Sequence, residues 1–546
     1  IAGTGAKRGV DLCEAAEHAD LIVIWGGNPV NTQVNVMTHV GIARKTRGAK
    51  LAVIDVYETG TMKQADHGYI VRPGTDGALA CAVMHILFRD GHADRDYMRR
   101  YTDDPAGLEE HLETKTPAWA AAITGLSVEK IEELARLIGT TKRTFFRIGY
   151  GFSRSRNGSA NMHAVTCIPA VTGAWQYEGG GALHSNSGMY KWNKAMITGR
   201  DAAKPGIRTL DQSRIGEVLC GNPQDLQGGP PVKALFIQNT NPVSVAPDQN
   251  RVKQGFARED LFTVVHEQFL TETARYADIV LPATMFLEHD DIYQGGGHSH
   301  IMFGRKLVNP PGECRSNHDV LCDLASRLGA EHEGFRMSPR ELIDRTLKDS
   351  KRRGLDELDA ENWFDVQPDF ETSHFLNGFA HADGKFHFRA DWKRAASVVS
   401  TMGALGPWQE MPVLPDHWAV TEPANAETPF RMTTSPARTF LNSSFNETPG
   451  SRKREGGPSL LIHPDDLSAL GASAGDRLRV GNARGEVILE ARANAGQQRG
   501  VVVAEGIWKN DDHETGCGIN SLTGADQPAP AGGGAFHDTA VWVTRA

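Results

Sequence analysis

A pair of glycines and an asparagine follow the first strongly apolar segment of the chain. Gly26, Gly27 and Asn28 come directly after the run LIVIW. In parallel α/β sheets, ligands lie beyond the carboxyl ends of the strands, where loops and helix N-termini present backbone N–H groups. Glycines at such a point let the backbone approach a phosphate closely, and the Asn28 amide can donate a hydrogen bond. The pattern predicts a site for a phosphate-bearing ligand.

Two carboxylates stand at comparable places further along the chain. Asp55 ends the second apolar segment, and Asp76 follows Pro73-Gly74-Thr75 after the third. A carboxylate at the end of a strand can accept hydrogen bonds from ribose hydroxyls, which is the role we expect for Asp55. Asp76 can accept two hydrogen bonds from the N1–H and exocyclic amine of a guanine. These residues predict that the ligand is a nucleotide.

The same order of motifs occurs a second time in the middle of the chain. Asn28-Pro29-Val30 is matched by Asn241-Pro242-Val243, and a TxTxxxAD motif follows each at nearly equal spacing, ending at Asp66 and at Asp278. A Pro-x-Thr then closes both copies. This shared order indicates an internal duplication, and so two nucleotide-like ligands or one ligand with two similar ends. The residues offered by the second copy for the same roles are Gln238, Asn241, Glu267 and Thr271.

A structural interpretation of the individual residues stays open. Gly-Gly-Asn-Pro also suits a tight turn, and Asp66 and Asp278 also suit caps of turns or helices. His298 and His300 form an HxH pair without an evident third metal ligand, and Cys13 is a lone thiol in a helical pattern. We therefore predict no metal ligand within this sequence.

Strand-like and helix-like segments alternate through most of the sequence. Apolar, strand-like runs occupy residues 21–25, 51–55, 69–71, 144–148, 234–237 and 261–265. Strands separated by helices predict βαβ units and an α/β fold with parallel sheets. After Pro429, short strands separated by glycine-containing turns predict a β-barrel-like domain. We place the domain boundaries at 1–150 for a first dinucleotide-binding domain, 151–425 for a second α/β core domain with a connecting region, and 426–546 for the barrel.

The composition is that of a globular protein with three or four domains. The 546 residues are 40% hydrophobic and 23% charged, and the formal net charge is −9. This charge argues against nucleic acid as a partner, and the absence of an apolar run of 18 residues argues against direct membrane insertion. The seven cysteines form no CxxC motif, so the sequence predicts neither a zinc ribbon nor an iron–sulfur site. Their odd number in a large protein fits a reducing, cytoplasmic compartment. A periplasmic location stays open because a targeting segment can precede Ile1.

Together these motifs resemble those of molybdopterin-dependent oxidoreductases of the dimethyl sulfoxide reductase family, which includes formate dehydrogenases, nitrate reductases and biotin sulfoxide reductases. The resemblance covers nearly the whole chain. It rests on GGNPV at 26–30, PGTD at 73–76, GYG at 149–151, GGG at 179–181, TETARYADIVLPAT at 271–284, HPD at 463–465 and NSLT at 520–523.

The resemblance implies a bis-molybdopterin guanine dinucleotide cofactor on one molybdenum or tungsten atom. Each half of a pseudo-symmetric α/β core would bind one dinucleotide, and a C-terminal double-psi β-barrel would close over both. This arrangement would explain the duplication. The implied cofactor-binding residues are Gly26, Gly27, Asn28, Asp55, Thr59, Gly74, Asp76, Gly149 and Gly151 in the first half, Gln238, Asn241, Glu267, Thr271 and Asp278 in the second, and Ser435, Arg438 and Asn520 in the barrel.

The resemblance also implies a two-electron oxidation or reduction of a small substrate, either formate-like or an S- or N-oxide, with an electron-transfer partner. The catalytic metal ligand is expected upstream of Ile1, because only 20 residues precede the first strand. An iron–sulfur cluster is expected upstream as well or on the partner. Residues 289–300 depart from the family pattern, which leaves the substrate open. Two alternatives remain: a non-redox hydratase or transhydroxylase with the same cofactor, and a cofactor-free structural subunit of a larger redox complex.

Overall fold

The first sheet is parallel, with five strands in the order β3-β2-β1-β4-β5. The structure, a computed structural model, describes residues 2–3, 8–399 and 402–546. The strands are β1 (Leu21–Trp25), β2 (Lys50–Asp55), β3 (His67–Ile70), β4 (Thr144–Ile148) and β5 (Gly181–Leu183). β1 and β4 are buried at every position, because helices cover both faces of the sheet. The first four strands lie within two residues of the predicted ones.

Nine helices within the described ranges accompany this sheet. They are α1 (Leu12–His18), α2 (Pro29–Thr32), α3 (Val34–Arg47), α4 (Asp76–Arg89), α5 (Arg95–Tyr101), α6 (Pro105–Leu112), α7 (Pro117–Thr124), α8 (Val128–Gly139) and α9 (Gly158–Val171). The hydrophobic core of this unit also contains Phe375, Phe379, Phe386 and Phe388. Since β5 and these phenylalanines come from further along the chain, the predicted boundary at residue 150 falls inside this unit.

The second sheet repeats the order of the first on a smaller scale. β6 (Ala234–Gln238), β7 (Phe262–Glu267) and β8 (Ile279–Pro282) are parallel and lie in the order β6-β7-β8. This order corresponds to β1-β2-β3, as the duplication predicts. Phe236, Phe262 and Ile279 remain exposed on this sheet. The neighbouring helices are α10 (Ala195–Thr198), α11 (Ile215–Leu219), α12 (Pro242–Val245), α13 (Gln249–Phe256), α14 (Asn317–Leu328), α15 (Pro339–Asp349) and α16 (Leu355–Glu361).

A small antiparallel sheet joins the segments that follow. It consists of β9 (Asp291–Tyr293), β10 (His300–Gly304) and β11 (Trp363–Asp365), with β10 in the centre. Two helices, α17 (Phe370–Ser373) and α18 (Trp392–Val399), lie in the connecting region. Across the described parts of the chain, no helix combines the length and the apolar character that crossing a bilayer requires.

The C-terminal part is a closed barrel of six strands in the order β12-β16-β13-β15-β14-β17. The strands are β12 (Phe430–Ser435), β13 (Ser459–Ile462), β14 (Arg477–Asn482), β15 (Gly485–Ala493), β16 (Val501–Glu505) and β17 (Thr539–Arg545), with helices α19 (Pro449–Glu455) and α20 (Pro464–Ala469). β12 pairs with β16 in parallel, and so does β13 with β15, whereas the other pairs are antiparallel. The predicted α/β core followed by a barrel is confirmed.

Candidate functional site

Two clefts lie where the barrel meets the carboxyl ends of the parallel strands. The first cleft has a volume of about 640 Å³ and lies between the first sheet and the barrel. The second cleft has a volume of about 1370 Å³ and lies over the second sheet. Val245 and Asn442 line both clefts, so the two adjoin.

Most of the residues predicted from the sequence line one of these clefts. Those in the first cleft are Gly26, Gly27, Asn28, Asp55, Gly74, Asp76, Gly149, Gly151, Ser435 and Asn520. Those in the second are Gln238, Asn241, Glu267 and Thr271. The fold therefore gathers residues from positions more than 400 apart in the sequence around adjoining spaces.

In the first copy, Asn28 is held by the second threonine of the TxT motif. The backbone N–H and the hydroxyl of Thr61 both donate to Asn28 Oδ1, at 3.3 and 2.8 Å. Thr61 Oγ1 in turn accepts from the N–H of Val30 at 3.1 Å. These bonds fix the Asn28 side chain at the start of α2, just beyond the end of β1.

The second copy repeats this network. Thr273 donates to Asn241 Oδ1 from its N–H at 3.1 Å and from its hydroxyl at 2.7 Å. Thr273 Oγ1 accepts from Val243 N–H at 3.0 Å. The duplication thus extends to individual hydrogen bonds, which explains why NPV and TxT occur together in the sequence.

The two copies differ at the amide nitrogens of these asparagines. Asn241 Nδ2 donates to Glu272 Oε2 at 2.8 Å, and Glu272 is buried. Gly60 stands at the position that matches Glu272. Asn28 Nδ2 is buried and has no hydrogen-bond partner among the described residues. The first cleft therefore presents the Asn28 amide N–H as a donor for a ligand. In the second cleft, the corresponding amide of Asn241 already donates to a protein carboxylate.

Asp76 occupies the start of α4 at the floor of the first cleft. Its Oδ1 accepts from the indole N–H of Trp25 at 2.8 Å, and its Oδ2 is buried without a partner in the described part of the chain. Burial raises the pKa of Asp76 to about 6, although the Trp25 hydrogen bond opposes this shift. The carboxylate has one free oxygen for a ligand donor.

Asp55 and Glu267 occupy matching positions at the ends of β2 and β7. Asp55 Oδ1 accepts from the N–H of Val56 at 2.8 Å, and Glu267 Oε1 accepts from the N–H of Gln268 at 2.7 Å. Burial, and to a smaller extent the Asp76 carboxylate, raise the pKa of Asp55 to about 7. Burial also raises the pKa of Glu267. Each cleft thus holds a strand-end carboxyl whose pKa is raised by burial.

The glycines after β1 and β4 allow the two strand ends to approach each other. Gly26 has φ +61°, and a Cβ there would lie 2.2 Å from the Phe152 ring. A Cβ on Gly149 would lie 2.1 Å from the Gly26 carbonyl oxygen. Gly149 N–H donates to Trp25 O, and Gly151 N–H to Gly26 O, both at 2.8 Å. These glycines line the cleft and also pack backbone against backbone.

The barrel contributes polar groups to the first cleft. The Tyr57 hydroxyl lies 2.8 Å from Ser435 Oγ and donates to Glu505 Oε1 at 2.9 Å, so it ties the end of β2 to two barrel strands. Asn520 Nδ2 donates to Ser244 O at 2.9 Å. Thr433 Oγ1 is buried in the cleft wall without a partner in the described residues.

Comparison with known sequences identifies the family to which this chain belongs. The sequence model of the family described as Molybdopterin oxidoreductase matches residues 11–327, more than half of the chain. A second model, Molydopterin dinucleotide binding domain, matches residues 430–540, which is the barrel. The chain belongs to the molybdopterin oxidoreductase family.

Individual relatives place this molybdopterin oxidoreductase in the dimethyl sulfoxide reductase family. It is 36% identical to probable oxidoreductase YoaE of Bacillus subtilis, over 97% of this chain and 75% of that protein. It is 25% identical to dimethyl sulfoxide reductase DmsA of Escherichia coli, over 97% and 72%. It is 26% identical to the F420-dependent formate dehydrogenase subunit alpha of Methanocaldococcus jannaschii, over 92% and 73%. The predicted family, oxidoreductase class and dinucleotide-binding barrel are confirmed.

A solved structure supports the fold. Acetylene hydratase from Pelobacter acetylenicus superposes with a TM-score of 0.73 over 98% of this chain and 81% of that chain. The identity is 18%, so this likeness concerns the fold alone.

The first cleft of this molybdopterin oxidoreductase has polar groups that suit a molybdopterin dinucleotide. Asn28 Nδ2, Asp76 Oδ2 and Thr433 Oγ1 are buried polar atoms on its walls that no described protein group satisfies. Such atoms are rare in folded proteins unless a ligand or water pairs with them. They comprise a donor, an acceptor and a hydroxyl, which suits a base and ribose that carry both donors and acceptors.

Three of the predicted residues line neither cleft. Thr59 Oγ1 accepts from Met62 N–H at 3.1 Å and caps a turn. Asp278 Oδ2 accepts from Thr263 N–H at 2.7 Å, just as Asp66 Oδ2 accepts from Leu51 N–H at 2.8 Å. Arg438 is exposed. Thr59 and Asp278 thus stabilise turns and strand ends, because their side chains accept hydrogen bonds from backbone N–H groups.

The His298–His300 pair and Cys13 belong to no group of three potential metal ligands among the described residues. His298 and His300 stack with ring centroids 5.4 Å apart, and only His300 lies in a strand. Cys13 is exposed on α1, and partial burial together with Asp11 raises the pKa of its thiol to about 11. Within residues 2–3, 8–399 and 402–546, no three His, Cys, Asp or Glu side chains group as a metal site.

Several residues of the first cleft escaped the sequence analysis. Gln33, Tyr57, Arg147 and Thr433 line it. Of these, only Arg147 could have been noticed in the sequence, because it is the one charged residue within the apolar run TFFRI. Tyr57 and Thr433 belong to the site through long-range contacts that no local pattern indicates.

Proposed function

We propose that this protein uses bis-molybdopterin guanine dinucleotide with molybdenum or tungsten to oxidise or reduce a small substrate by two electrons. The substrate would be formate-like or an S- or N-oxide. An electron-transfer partner would exchange the electrons through an iron–sulfur cluster that lies outside this sequence. The observation that carries the proposal is the duplicated Asn–Thr network, which opens onto two adjoining clefts beneath one barrel.

Each cleft has residues that would hold one dinucleotide. In the first, Asn28 would donate to the ligand, while Asp55 and Asp76 would accept from ribose and guanine donors. In the second, Gln238 and Glu267 would take the corresponding roles. When bound, the metal of this cofactor supplies the two-electron chemistry, and the protein provides orientation and electrostatics.

Burial also affects the protonation of Asp76, the residue that would contact the base. Burial raises the pKa of Asp76 to about 6, because a carboxylate is poorly solvated there. A guanine edge with two N–H donors would replace the lost water and favour the ionised form. The barrel covers this region with Phe536 and His537.

Cofactor stoichiometry tests the proposal. The holoenzyme would be denatured, and the released nucleotide and metal would be measured in one sample. We expect two guanine nucleotides for each molybdenum or tungsten atom. One nucleotide per metal, or adenine in place of guanine, would contradict the proposal.

Turnover tests the reaction class. An oxidoreductase requires an external electron donor or acceptor, so we expect no turnover of formate, dimethyl sulfoxide or trimethylamine N-oxide without an artificial carrier. Turnover without a carrier would instead favour the hydratase or transhydroxylase alternative. The cytoplasmic location also stays a prediction, which fractionation of the producing cells would check.

A further inference from the structure

The central strand β4 carries a buried arginine. Arg147 is 4% exposed, and all five residues of its strand are buried. Charged side chains are rarely buried completely unless they are paired, because transfer of a charge out of water is costly. A negatively charged partner is therefore expected beside Arg147.

The protein supplies only neutral partners to this guanidinium. Nη1 donates to the carbonyl oxygens of Ile148 at 2.6 Å, Leu183 at 3.1 Å and His184 at 3.2 Å. Nη2 donates to Gln33 Oε1, and Nε is buried without a partner in the described residues. Burial lowers the pKa of Arg147 to about 10, which still leaves it charged at neutral pH. No described carboxylate lies within ion-pair distance of it, in contrast to the paired Arg156 and Arg431.

Arg147 and the Asp55 carboxyl line the first cleft from different strands. Arg147 is on β4, whereas Asp55 ends β2, two strands away in the sheet, or roughly 9–10 Å. A second cation, Arg154, also lines the cleft and lies 5.9 Å from the ring of Tyr150. The first cleft thus presents cationic side chains from β4 and the segment after it, and a carboxyl from the end of β2.

Within the described ranges, the hydrogen-bond partners of Arg147 include no carboxylate. His184 approaches the Ile148 carbonyl through Nδ1 at 3.2 Å, and its ring packs on Tyr150 with centroids 4.5 Å apart. Gln33 follows α2 and accepts a hydrogen bond from the guanidinium. Carbonyl and amide oxygens thus position the Arg147 guanidinium without neutralising its charge.

We propose that Arg147, oriented by Gln33, forms an anion subsite at the β4 end of the first cleft, which binds a small carboxylate or oxoanion as the substrate. A guanidinium matches the planar, two-oxygen geometry of such anions. This inference rests on the proposed function and narrows it, because a neutral sulfoxide or N-oxide has no charge to offer Arg147. The same oxyanion chemistry could come from a phosphate of the cofactor, and the experiment separates the two sources.

The test measures anion binding to the holoenzyme by titration calorimetry. The probes are sodium nitrate and sodium formate, with dimethyl sulfoxide as a neutral comparison. We expect the wild type to bind one of the anions more tightly than dimethyl sulfoxide. Arg147→Gln should weaken anion binding at least tenfold, and Arg147→Lys, which keeps the charge, should weaken it less. Guanine content is measured on the same samples and should stay unchanged in both variants.

Arg352 provides a matched control. It donates to the carbonyl oxygens of Met189 and Tyr190 and has a buried Nε without a described partner, but it lines neither cleft. Arg352→Gln should therefore leave anion binding unchanged. If Arg147→Gln does not fold, Gln33→Leu provides the test, since it keeps the guanidinium but removes its side-chain partner. We expect it to weaken anion binding at least threefold.

Three results would overturn the inference. The first is a wild type that binds dimethyl sulfoxide but neither anion. The second is unchanged anion affinity in Arg147→Gln or, should that variant not fold, in Gln33→Leu. The third is loss of guanine from Arg147→Gln, which would assign the arginine to a cofactor phosphate. A wild type without guanine would contradict the proposed function instead, and anion binding would still be measurable on that protein.

Discussion

The side-chain amide of Asn241 donates to the carboxylate of Glu272 at 2.8 Å, and Glu272 also accepts from the N–H of Asn510 in the barrel part of the chain at 3.3 Å. Asn28, the counterpart of Asn241, has Gly60 at the matching motif position and keeps its amide unpartnered among the described residues. One copy thus uses an internal carboxylate where the other leaves a donor for a ligand. The two clefts are duplicated in origin but are not equivalent binding sites.

This difference predicts the effect of Gly60→Glu. A glutamate at this position would accept the hydrogen bond from Asn28 Nδ2 and remove a donor from the first cleft. We expect guanine content to fall from two toward one per metal atom in the full-length protein. Gly60→Ala is the control, since it adds only the Cβ, which would lie 3.0 Å from Val30 Cγ1. Full guanine content in Gly60→Glu would show that the Asn28 amide does not bind the cofactor.

Asp76 and Asp66 should respond differently to replacement by alanine. Asp76 has a free oxygen in the cleft, whereas both oxygens of Asp66 are engaged, with Leu51 N–H and with Arg44. Asp76→Ala should weaken cofactor retention at least tenfold, because each charge-assisted hydrogen bond contributes about 1.5–3 kcal/mol. Asp66→Ala should instead lower the free energy of unfolding by about 1 kcal/mol. Guanine content and thermal midpoint would be measured on the same full-length samples. The reverse pattern would place the guanine pocket elsewhere.

The contribution of Asp55 and Asp76 to the stability of the cofactor-free protein should fall as the pH rises from about 4 to 7. Burial raises the pKa of Asp55 to about 7 and that of Asp76 to about 6, above the value of 3.8 for an unfolded chain. The folded state then binds these protons more tightly, so the contribution to the free energy of unfolding is fully present below pH 3.8 and is lost as the pH rises through about 6 to 7.

The corresponding measurement compares thermal midpoints of the cofactor-free wild type and of the double variant Asp55→Asn, Asp76→Asn. Buried histidines such as His537 add an opposite slope, but they are common to both proteins and cancel in the difference. We expect the wild-type midpoint to fall relative to the variant between about pH 4 and pH 7. A flat difference would mean that the two carboxyls are solvated in the cofactor-free protein.

Asp538 should be essential for docking of the barrel. Its side chain is fully buried, pairs with Arg431 at 2.8 Å and accepts from the N–H groups of Arg156 and Glu422 at 3.1 and 2.9 Å. Removing one partner of a buried pair leaves an uncompensated charge, so Asp538→Ala should lower the free energy of unfolding by about 3–5 kcal/mol in urea. Asp526→Ala is the control, because this half-exposed carboxylate also pairs with Arg156 and should contribute about 0–1 kcal/mol. Equal effects of the two variants would contradict the role of Asp538.

The sequence predicted the parts of the site that depend on local order. The runs that form β1 and β4 are apolar throughout, so their strands could be placed residue by residue, and the paired NPV and TxTxxxAD motifs located both clefts. The direction of a side chain was harder to predict. Thr59 and Asp278 belong to the motifs, yet they bond to backbone N–H groups, because a short polar side chain satisfies a nearby donor as readily as a ligand.

Contacts between distant parts of the chain could not be predicted from the sequence. Tyr57 meets Ser435 and Glu505 only because the barrel docks on the first sheet. The inclusion of β5 in the first sheet depends likewise on its pairing with β4, after a long helical segment. Such contacts follow from packing of whole units, and no periodic pattern in the sequence encodes them.

The barrel, β12 to β17, follows all strands of both α/β units in the chain, although it forms one wall of the first cleft. During synthesis from the N-terminus, both parallel sheets are therefore complete while the first cleft is still an open groove. The first cleft therefore gains its barrel wall last, together with the buried contact between Asp538 and Arg156. The order of the domains along the chain thus makes the enclosure of this cleft a late step of chain synthesis.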